Sequence, residues 1–496
     1  MLSEYEKVSI DDIRKILKYF SKGYKLDPAI TDVIKKVAHK EIEDKHRVVL
    51  FKRDPNVERN RIQGSYVKLI DGATVELHPV VVKGPGADFD GDQMAIIAVM
   101  SNEAQDEIKK KMITTKHFDR LNGSTFTLSN EMLIGLFTMT YIENNNKPVL
   151  INNASDAEKL DIGDSVKINT KSNGLITTTA GRVVFNSALP ANHQFINEPV
   201  NSKLVNKILD NIIQKDKNEF ARTIDKLCKM GFEYATKYPQ TISLDMLMVP
   251  DSLKKMAREL EKEPNVNKQI AILDDMDKKL MDYLRDHQKG LYIQIASGAG
   301  KGGSQLRQVM VAKGLISNAA GELLPPIGKS LLDGFDSETY LESAAGSRKG
   351  LIDKALNTAH GGYAYRKMVF AMGTAECDIT NADCGTKRGI KLKLTNDIYA
   401  RMNGRYFINP KTKVVEKLTK DYIGQIMEIR SPIFCKSRKI CRICYGDLIY
   451  QIQSQNAGVL AAQACASLSE KIMKCSTGLI QTEDGIITLD ELWNKV

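Results

Sequence analysis

The stretch GADFDGDQMA, residues 86–95, places Asp88, Asp90 and Asp92 at alternate positions. In an extended segment these three side chains would point to one side, and Gly91 would let the backbone turn tightly and bring the third carboxylate round. Clustered carboxylates raise one another's pKa unless a cation offsets their repulsion. Hard oxygen ligands select Mg²⁺ or Ca²⁺. The pattern therefore predicts a divalent-cation site, with an acidic surface turn as the alternative.

The identity of the cation follows from the residues around this loop. An EF-hand calcium loop needs Gly at its sixth position and Glu at its twelfth, where this chain has Gln93 and Val99. Mg²⁺ keeps several waters and shares its coordination with substrate phosphates, which suits phosphoryl transfer. The apolar flanks HPVVV and MAIIAVM place the turn between two buried segments. These observations favour a Mg²⁺ site over a surface turn.

The cysteine spacing indicates a second metal site. The segment CKSRKICRICYGDL contains Cys435, Cys441 and Cys444, and Cys384 lies upstream in ADCGT. Four thiolates in a tetrahedral array suit structural Zn²⁺. A single C-x-x-C could instead be a redox pair, but no thioredoxin-like strand–helix context surrounds it. The remaining cysteines are predicted to be ordinary buried or partly buried thiols: Cys228, Cys377, Cys465 and Cys475.

Composition sets wider limits. A chain of 496 residues with 42% hydrophobic content is long enough for two to four globular domains. It contains no run of about 18 apolar residues and no signal-peptide pattern at its start, so we expect a cytoplasmic protein without membrane spans. The net charge of +10 fits an anionic partner such as nucleic acid. A lysine-rich solvated surface would give the same charge.

Hydrophobic periodicity and turn residues predict the following elements. Asp71 and Gly72 mark a hairpin turn within SYVKLIDGATVELHPVVV. Pro264 and Asn265 break a helical pair. The remaining predictions are helices over 1–46, strands over 167–185, mostly helix over 201–290, one long helix over 337–372, and an alanine-rich helix over about 455–474.

The segment ELHPVVVKGPGADFDGDQMA resembles the catalytic loop of the largest (beta-prime) subunit of multisubunit DNA-dependent RNA polymerases. The likeness continues through SNEAQDEIKKKM and LSNEMLIGLFTMT. It implies that the three aspartates hold the catalytic Mg²⁺ on a double-psi β-barrel. It also implies that Arg53, in VVLFKRDPNVER, helps to recognise the ribose 2′-hydroxyl. This chain departs from the family at Gly86, where an asparagine helps select ribonucleotides, so sugar discrimination is expected to depend more on Arg53 or on another chain.

The segment SRKGLIDKALNTAHGGYAYRKMVFAMG, residues 347–373, resembles the bridge helix that crosses the active-site cleft of these polymerases. A helix of about 35 residues would span roughly 50 Å. Gly361 and Gly362 would weaken it and favour a kink. The resemblance implies that Thr358 and Ala359 lie under the templating base pair. It also implies that three basic residues face nucleic acid: Arg348, Lys349 and Arg366. Without the resemblance, a solvated helix face would be the preferred interpretation of the basic residues.

The resemblance implies an α+β multidomain fold: part of a double-psi β-barrel carrying the DFDGD loop, then pore or funnel helices, a long bridge helix and a zinc-stapled region. In the family the zinc site has the same layout, with its first cysteine in DCGT. Six domains are predicted. They are an N-terminal helical segment (1–46), a barrel portion (47–145), a funnel-like domain (146–295), the F-loop with the bridge helix (296–375), a zinc-binding region (376–454), and a helix leading to the trigger loop with the C-terminal tail (455–496).

The predicted function is therefore that of the catalytic, Mg²⁺-binding piece of a split largest subunit, most similar to those of large bacteriophages. It would transfer nucleotides from nucleoside triphosphates to an RNA 3′ end on a DNA template. The expected partners are a second-largest, beta-like chain, the other pieces of the split subunit and a sigma-like promoter factor. Two alternatives stay open: a single-chain, barrel-type RNA-dependent RNA polymerase, and a non-catalytic, zinc-stapled scaffold that binds nucleic acid.

Overall fold

The structure is a computed structural model. It describes residues 14, 18, 28–54, 56, 61–72, 74–114, 126–144, 146–170, 174–300, 302–318, 320, 322–352, 355, 358–410, 412–450, 456–473, 479–482 and 485–488. Most of the predicted N-terminal helical segment, Cys475, and the tail after residue 488 lie outside these residues. The chain divides into two compact units, residues 1–316 with 325–340, and residues 317–324 with 341–496.

A small antiparallel sheet begins the first unit. Its strands lie in the order β2-β1-β3, and helices precede and follow them: α1 (Pro28–Lys45), β1 (Val48–Lys52), β2 (Ile62–Tyr66), β3 (Ala95–Ala98) and α2 (Asn102–Lys111). The Ser101 hydroxyl caps α2 by accepting a hydrogen bond from the Ala104 amide. The buried Gln105 side chain accepts a hydrogen bond from the Val48 amide and donates one to the Val48 carbonyl. These two bonds hold α2 against β1.

The hairpin predicted at Asp71 and Gly72 is wrong. Gly72 does adopt a positive φ of 117°, so the chain turns there. In the described part of the chain, however, the strand ends at Tyr66, and residues 67–72 and 74–78 pair with no neighbouring strand. The Asp71 carboxylate instead forms an ion pair with Lys35 of α1. The segment then enters a short 3₁₀ turn, Pro79–Val81, that leads into the aspartate loop.

The largest hydrophobic core of the first unit joins helices to a second three-stranded sheet of order β4-β5-β6. Its elements are α3 (Glu131–Tyr141), β4 (Val149–Leu150), α4 (Ala154–Ala157), β5 (Ser165–Thr170), β6 (Gly174–Thr179), α5 (Ala180–Ser187), α6 (Ser202–Lys215) and α7 (Lys217–Lys237). The strand prediction for 167–185 fails from Ala180 onward. Thr179 caps a helix there by accepting from the Arg182 amide, and Val183, Val184 and Phe185 are buried in the core.

Residues 201–290 are mostly helical, as the sequence predicts, and contain α8 (Asp251–Lys262) and α9 (Val266–His287) after α7. Two further helices follow, α10 (Lys289–Ala296) and α11 (Gly303–Met310). The predicted break falls between α8 and α9, where Asn265 caps α9 by accepting from the Lys268 amide. No helix in the described residues is long and apolar enough to cross a membrane.

The region predicted as one long helix is described as two helices, α12 (Ser337–Ile352) and α13 (Thr358–Met372). Ala355 lies in a π-helical turn between them, and residues 353–354 and 356–357 lie outside the described part. The continuity of the helix therefore stays a prediction. Gly361 and Gly362 lie inside α13, and the helix continues through both.

The second unit contains a four-stranded sheet of order β10-β9-β11-β8 and a short parallel pair, β7 with β12. Its elements after α13 are β7 (Cys377–Asp378), β8 (Ile390–Lys393), α14 (Asn396–Met402), β9 (Tyr406–Ile408), β10 (Val415–Lys417), β11 (Ile426–Ile429), β12 (Ile440–Cys441), α15 (Arg442–Tyr445), α16 (Ala457–Met473), β13 (Leu479–Thr482) and β14 (Gly485–Thr488). The mixture of helices and sheets in two units agrees with the α+β multidomain prediction at this level of detail.

Candidate functional site

Strand pairing brings Arg53 and Asp92 together. β1 pairs antiparallel with β3, and Lys52 lies opposite Ala95. Arg53 directly follows β1, and Asp92 lies just before β3, so both residues lie at the same end of this strand pair. The Arg53 guanidinium holds Asp92 with two contacts, Nε to Oδ2 at 2.6 Å and Nη2 to Oδ1 at 2.9 Å. This is the bidentate geometry that makes an arginine–carboxylate pair strong.

The three aspartates lie together at this point. One carboxylate oxygen from each of Asp88, Asp90 and Asp92 lies within 4.8 Å of the others. The predicted mechanism of convergence, alternation along an extended strand, is wrong: residues 89–91 bend, and the Asp88 amide donates to Asp92 Oδ2 across the loop at 3.1 Å. Gly91 has φ of +108°, a conformation that side chains rarely adopt, as its expected role requires.

The charges in this cluster are unequal. A hydrogen bond with the Asp88 side chain and the negative charge of Asp88 raise the pKa of Asp90. Hydrogen bonds from Arg53 lower the pKa of Asp92. Asp92 is thus held directly by a protein cation, while among the described residues no ion pair is formed by Asp88 or Asp90. A divalent cation among them would remove the repulsion, which is the electrostatic condition for a metal site.

Gly84 and Gly86 let the aspartate loop lie close to the side chains of Gln63 and Arg61. A Cβ atom on Gly84 would collide with the Gln63 side chain, and one on Gly86 would collide with the Arg61 guanidinium. Arg61 also donates to the Pro85 carbonyl at 3.2 Å. Gly86 has φ of +69°. The space that a side chain at Gly86 would need is therefore filled by Arg61, which sequence reasoning did not identify.

The four predicted cysteines form one cluster in the second unit. The sulfurs of Cys384, Cys435, Cys441 and Cys444 all lie within 4.8 Å of one another, and Cys384 Sγ lies 3.7 Å from Cys444 Sγ. A tetrahedral Zn²⁺ with Zn–S bonds of 2.3 Å places its sulfurs about 3.8 Å apart. The donor set and the spacing therefore fit zinc.

A backbone hydrogen bond and a tight turn help to position the four cysteines. The Cys441 amide donates to Cys435 Sγ at 3.4 Å, and Gly446, with φ of +83°, turns the chain just after Cys444. Burial raises the pKa of Cys384, but hydrogen bonds from the Lys436 and Thr386 backbone and from neighbouring thiols outweigh burial and lower it to about 6. The Cys384 thiol is therefore more acidic than an ordinary cysteine, whereas burial raises the pKa of Cys444. No described cysteine forms a disulfide; Cys228 and Cys377 are buried thiols, and Cys465 is exposed.

Sequence reasoning did not identify Arg430, which lies against the thiols. It follows β11, and its side chain is fully buried. Its Nη2 donates to Asp383 Oδ1, to Cys444 Sγ at 3.3 Å and to Cys384 Sγ at 3.5 Å. A buried charge among cysteines is recognisable only once the fold brings β11 to the ADCGT loop.

The predicted nucleic-acid residues lie on two helices. Arg348 and Lys349 lie near the end of α12, and Thr358, Ala359 and Arg366 lie on α13. Arg348, Ala359 and Arg366 are exposed. Arg366 lies over the Phe370 ring, 5.5 Å from its centroid. Within the described residues, no acidic partner neutralises these three basic side chains, which leaves them available to phosphates.

Two family models match the chain. The model described as RNA polymerase Rpb1, domain 2, matches residues 8–114, which include the aspartate loop and Arg53. The model described as RNA polymerase Rpb1, domain 5, matches residues 334–468, which include the two helices and all four clustered cysteines.

Full-length relatives give a concordant result. The chain is 29% identical to the DNA-directed RNA polymerase subunit beta' of Tropheryma whipplei over 88% of its own length. It is 30% identical to that of Karelsulcia muelleri over 91%, and 29% identical to that of a Sulfurihydrogenibium species over 85%. It spans only 38%, 36% and 31% of these relatives respectively. The resemblance to the largest subunit of DNA-directed RNA polymerases is thereby confirmed; the likeness to bacteriophage enzymes stays a prediction.

Proposed function

We propose that the chain carries the catalytic loop of a multisubunit DNA-dependent RNA polymerase and works only with other subunits. The observation that supports this most directly is the convergence of Asp88, Asp90 and Asp92, with Asp92 held by Arg53, inside the segment that matches RNA polymerase Rpb1 domain 2. The double-psi barrel, the split-subunit organisation and a cytoplasmic location belong to the same proposal. So do DNA template, RNA product and nucleoside triphosphates as its ligands.

Asp88, Asp90 and Asp92 would hold the catalytic Mg²⁺. When bound, this ion would offset the negative charge that develops as the RNA 3′-hydroxyl oxygen bonds to the α-phosphorus of a nucleoside triphosphate and pyrophosphate leaves. The protein's own part is to keep one carboxylate aimed by Arg53 and to close the loop through the Asp88 amide. Because both restraints come from the protein itself, they would limit the reorganisation needed when substrate binds.

The second unit would supply the support for the template. Cys384, Cys435, Cys441 and Cys444 would hold structural Zn²⁺. The exposed basic residues on α12 and α13 would contact nucleic-acid backbone. From Arg348 to Gly373 the sequence carries five basic residues and one acidic residue, Asp353, which gives the segment the charge that such a contact requires.

The test is Asp90→Ala in the complex purified with its partner chains. Loss of a metal ligand should lower the rate of RNA synthesis by roughly a thousandfold or more, because several kcal/mol of charge stabilisation are lost at about tenfold per 1.4 kcal/mol. Asp71→Ala is the matched control: Asp71 is an exposed aspartate of the same unit whose ion pair with Lys35 lies on the surface. It should leave synthesis unchanged.

The same experiment distinguishes the two alternatives. A scaffold without catalysis would keep transcription at its full rate in the Asp90→Ala complex. A single-chain RNA-dependent polymerase would copy an RNA template without partner chains and would lose that activity in the variant. Either result would contradict the proposal.

A further inference from the structure

Arg430 lies in an environment that is costly for a charged side chain. The residue is 1% exposed, and its Nε and Nη1 atoms are buried without hydrogen-bond partners. Burying a guanidinium is unfavourable unless anions face it. The groups that do face it are the Asp383 carboxylate and the sulfurs of Cys384 and Cys444, all contacted by Nη2.

Asp383 alone is a weak compensation for this charge. Its side chain is 39% exposed, and the Gly385 amide also donates to it. The two Nη2 contacts with sulfur would add to this compensation when the sulfurs are anionic. Metal binding ensures that state, because cysteine ligates as thiolate. Four thiolates around Zn²⁺ carry a net charge of −2, and one adjacent guanidinium reduces the excess.

We propose that Arg430 is a positioning residue for the metal cluster, which orients the Cys384 and Cys444 thiolates and raises their affinity for Zn²⁺. This inference rests on the zinc site of the proposed function. Arg430 would also connect the metal cluster to the four-stranded sheet. Arg430 directly follows β11, and its amide donates to the Tyr406 carbonyl of β9. The four-stranded sheet thus presents the guanidinium to the sulfurs.

Two substitutions separate the roles of charge and shape. Arg430→Met keeps an unbranched side chain but removes every N–H donor, and Arg430→Lys keeps the charge but loses the planar fork. The matched control is Arg405→Gln. Arg405 is a partly buried arginine of the same region that donates to the Cys444 carbonyl at 3.3 Å and stacks on Tyr445, but it contacts no sulfur.

The first measurement is zinc content and zinc release to a chromogenic chelator, using the full chain purified with its partner chains. Removing a group that supports metal ligands typically weakens metal affinity by about 10–100-fold. We expect a loss of that order in Arg430→Met and smaller losses in Arg430→Lys and in Arg405→Gln, because Arg405→Gln keeps both contacts between Arg430 and sulfur.

The second measurement is the absorption of the Co²⁺-substituted protein. An N–H···S hydrogen bond stabilises the sulfur lone pair, so its loss should move the sulfur-to-cobalt charge-transfer band to longer wavelength. A residue that only supports the fold would not move this band. Should Arg430→Met not be recovered folded, Arg430→Lys decides by the same two measurements.

The outcomes are distinct. A wild-type chain without bound zinc would contradict the zinc site itself. Zinc-loaded Arg430 variants with unchanged release and an unchanged cobalt band would overturn the role of Arg430 and leave the zinc site intact.

Discussion

At the scale of single residues, Arg53 holds one carboxylate of the aspartate loop. Its two contacts with Asp92 orient that carboxylate, whereas a hydrogen bond and the charge of Asp88 raise the pKa of Asp90. Both partners are mostly buried, so solvent screens the pair only partly. If Arg53 also recognises a ribose, it does so from a side chain that is already held in place.

Arg53→Lys should therefore weaken catalysis without abolishing it. Lysine keeps the positive charge but cannot hold both oxygens of Asp92, and a hydrogen bond to a charged group contributes about 1.5–3 kcal/mol. We expect an approximately tenfold or larger loss in kcat/KM for nucleotide incorporation and a higher Mg²⁺ requirement. Single-nucleotide extension at varied Mg²⁺ measures both.

The control for this substitution is the neighbouring Lys52→Gln. Lys52 pairs with the exposed Asp54 and contacts none of the three clustered aspartates in the described structure. It should behave as wild type. Equal losses in the two variants would show that general positive charge, and not the bidentate contact, is what matters.

Some of the site residues could be predicted from the sequence, and others could not. Residue types and spacing identified both groups of side chains that the structure brings together as candidate metal ligands, because ligand chemistry is local and specific. Arg61 and Arg430 could not be identified in this way. Arg61 contacts Pro85, 24 positions further along the chain, and Arg430 contacts Cys384, 46 positions before it, so neither contact can be read from local sequence. The preference for ribonucleotides, expected to shift from Gly86 to Arg53, stays a prediction, and Arg61 now lies beside that position.

At the scale of elements, glycines determine how closely helices approach. A Cβ atom on Gly135 of α3 would collide with the Gly231 carbonyl of α7, and one on Gly231 would collide with the Met132 carbonyl. Backbone meets backbone here, so no side chain can move aside. The helices pack more closely than any larger residue would permit.

Gly135→Ala should consequently destabilise the first unit. The helices must separate, and overpacking of this kind typically costs about 1–3 kcal/mol. The matched control is Gly362→Ala in α13, where nothing lies within 4 Å of an added Cβ; it should stabilise its helix by up to about 1 kcal/mol. Hydrogen exchange of the amides in α3, α7 and α13 measures both free energies of opening. A neutral Gly135→Ala would contradict the close packing.

Elements with long periodic patterns were predictable, and those that depend on distant partners were not. The helices from α6 to α9 and α16 follow their hydrophobic periodicity and caps. The segment after Tyr66 has the composition of a strand, yet it finds no partner strand among the described residues. Ala180–Ser187 contains β-branched residues typical of a strand, but the Thr179 cap and burial of one helix face decide for a helix.

At the scale of the whole molecule, large apolar side chains lie exposed in regions that match the polymerase models. All four residues of β3 are exposed, including Ile96 at 54%, so the prediction that the flank MAIIAVM is buried is wrong for this strand. Phe89 in the aspartate loop is 70% exposed. On α13, Tyr363 and Phe370 are also exposed. Exposed apolar surface of this kind marks contact with other chains or with nucleic acid. The catalytic loop is thus expected to be complete in its ligands but dependent on an assembly.

The chain purified alone should therefore make no RNA when given DNA template, nucleoside triphosphates and Mg²⁺, and should show no sharp cooperative melt. Co-expressed with its partner chains, it should yield a stable complex that synthesises RNA, because the exposed faces are then covered. Mass spectrometry of the co-purified chains identifies the partners. A parallel preparation carrying Asp90→Ala controls for contaminating host polymerase, since its residual activity would come from that source. Robust synthesis by the isolated wild-type chain, absent from the isolated Asp90→Ala chain, would show that the loop needs no assembly.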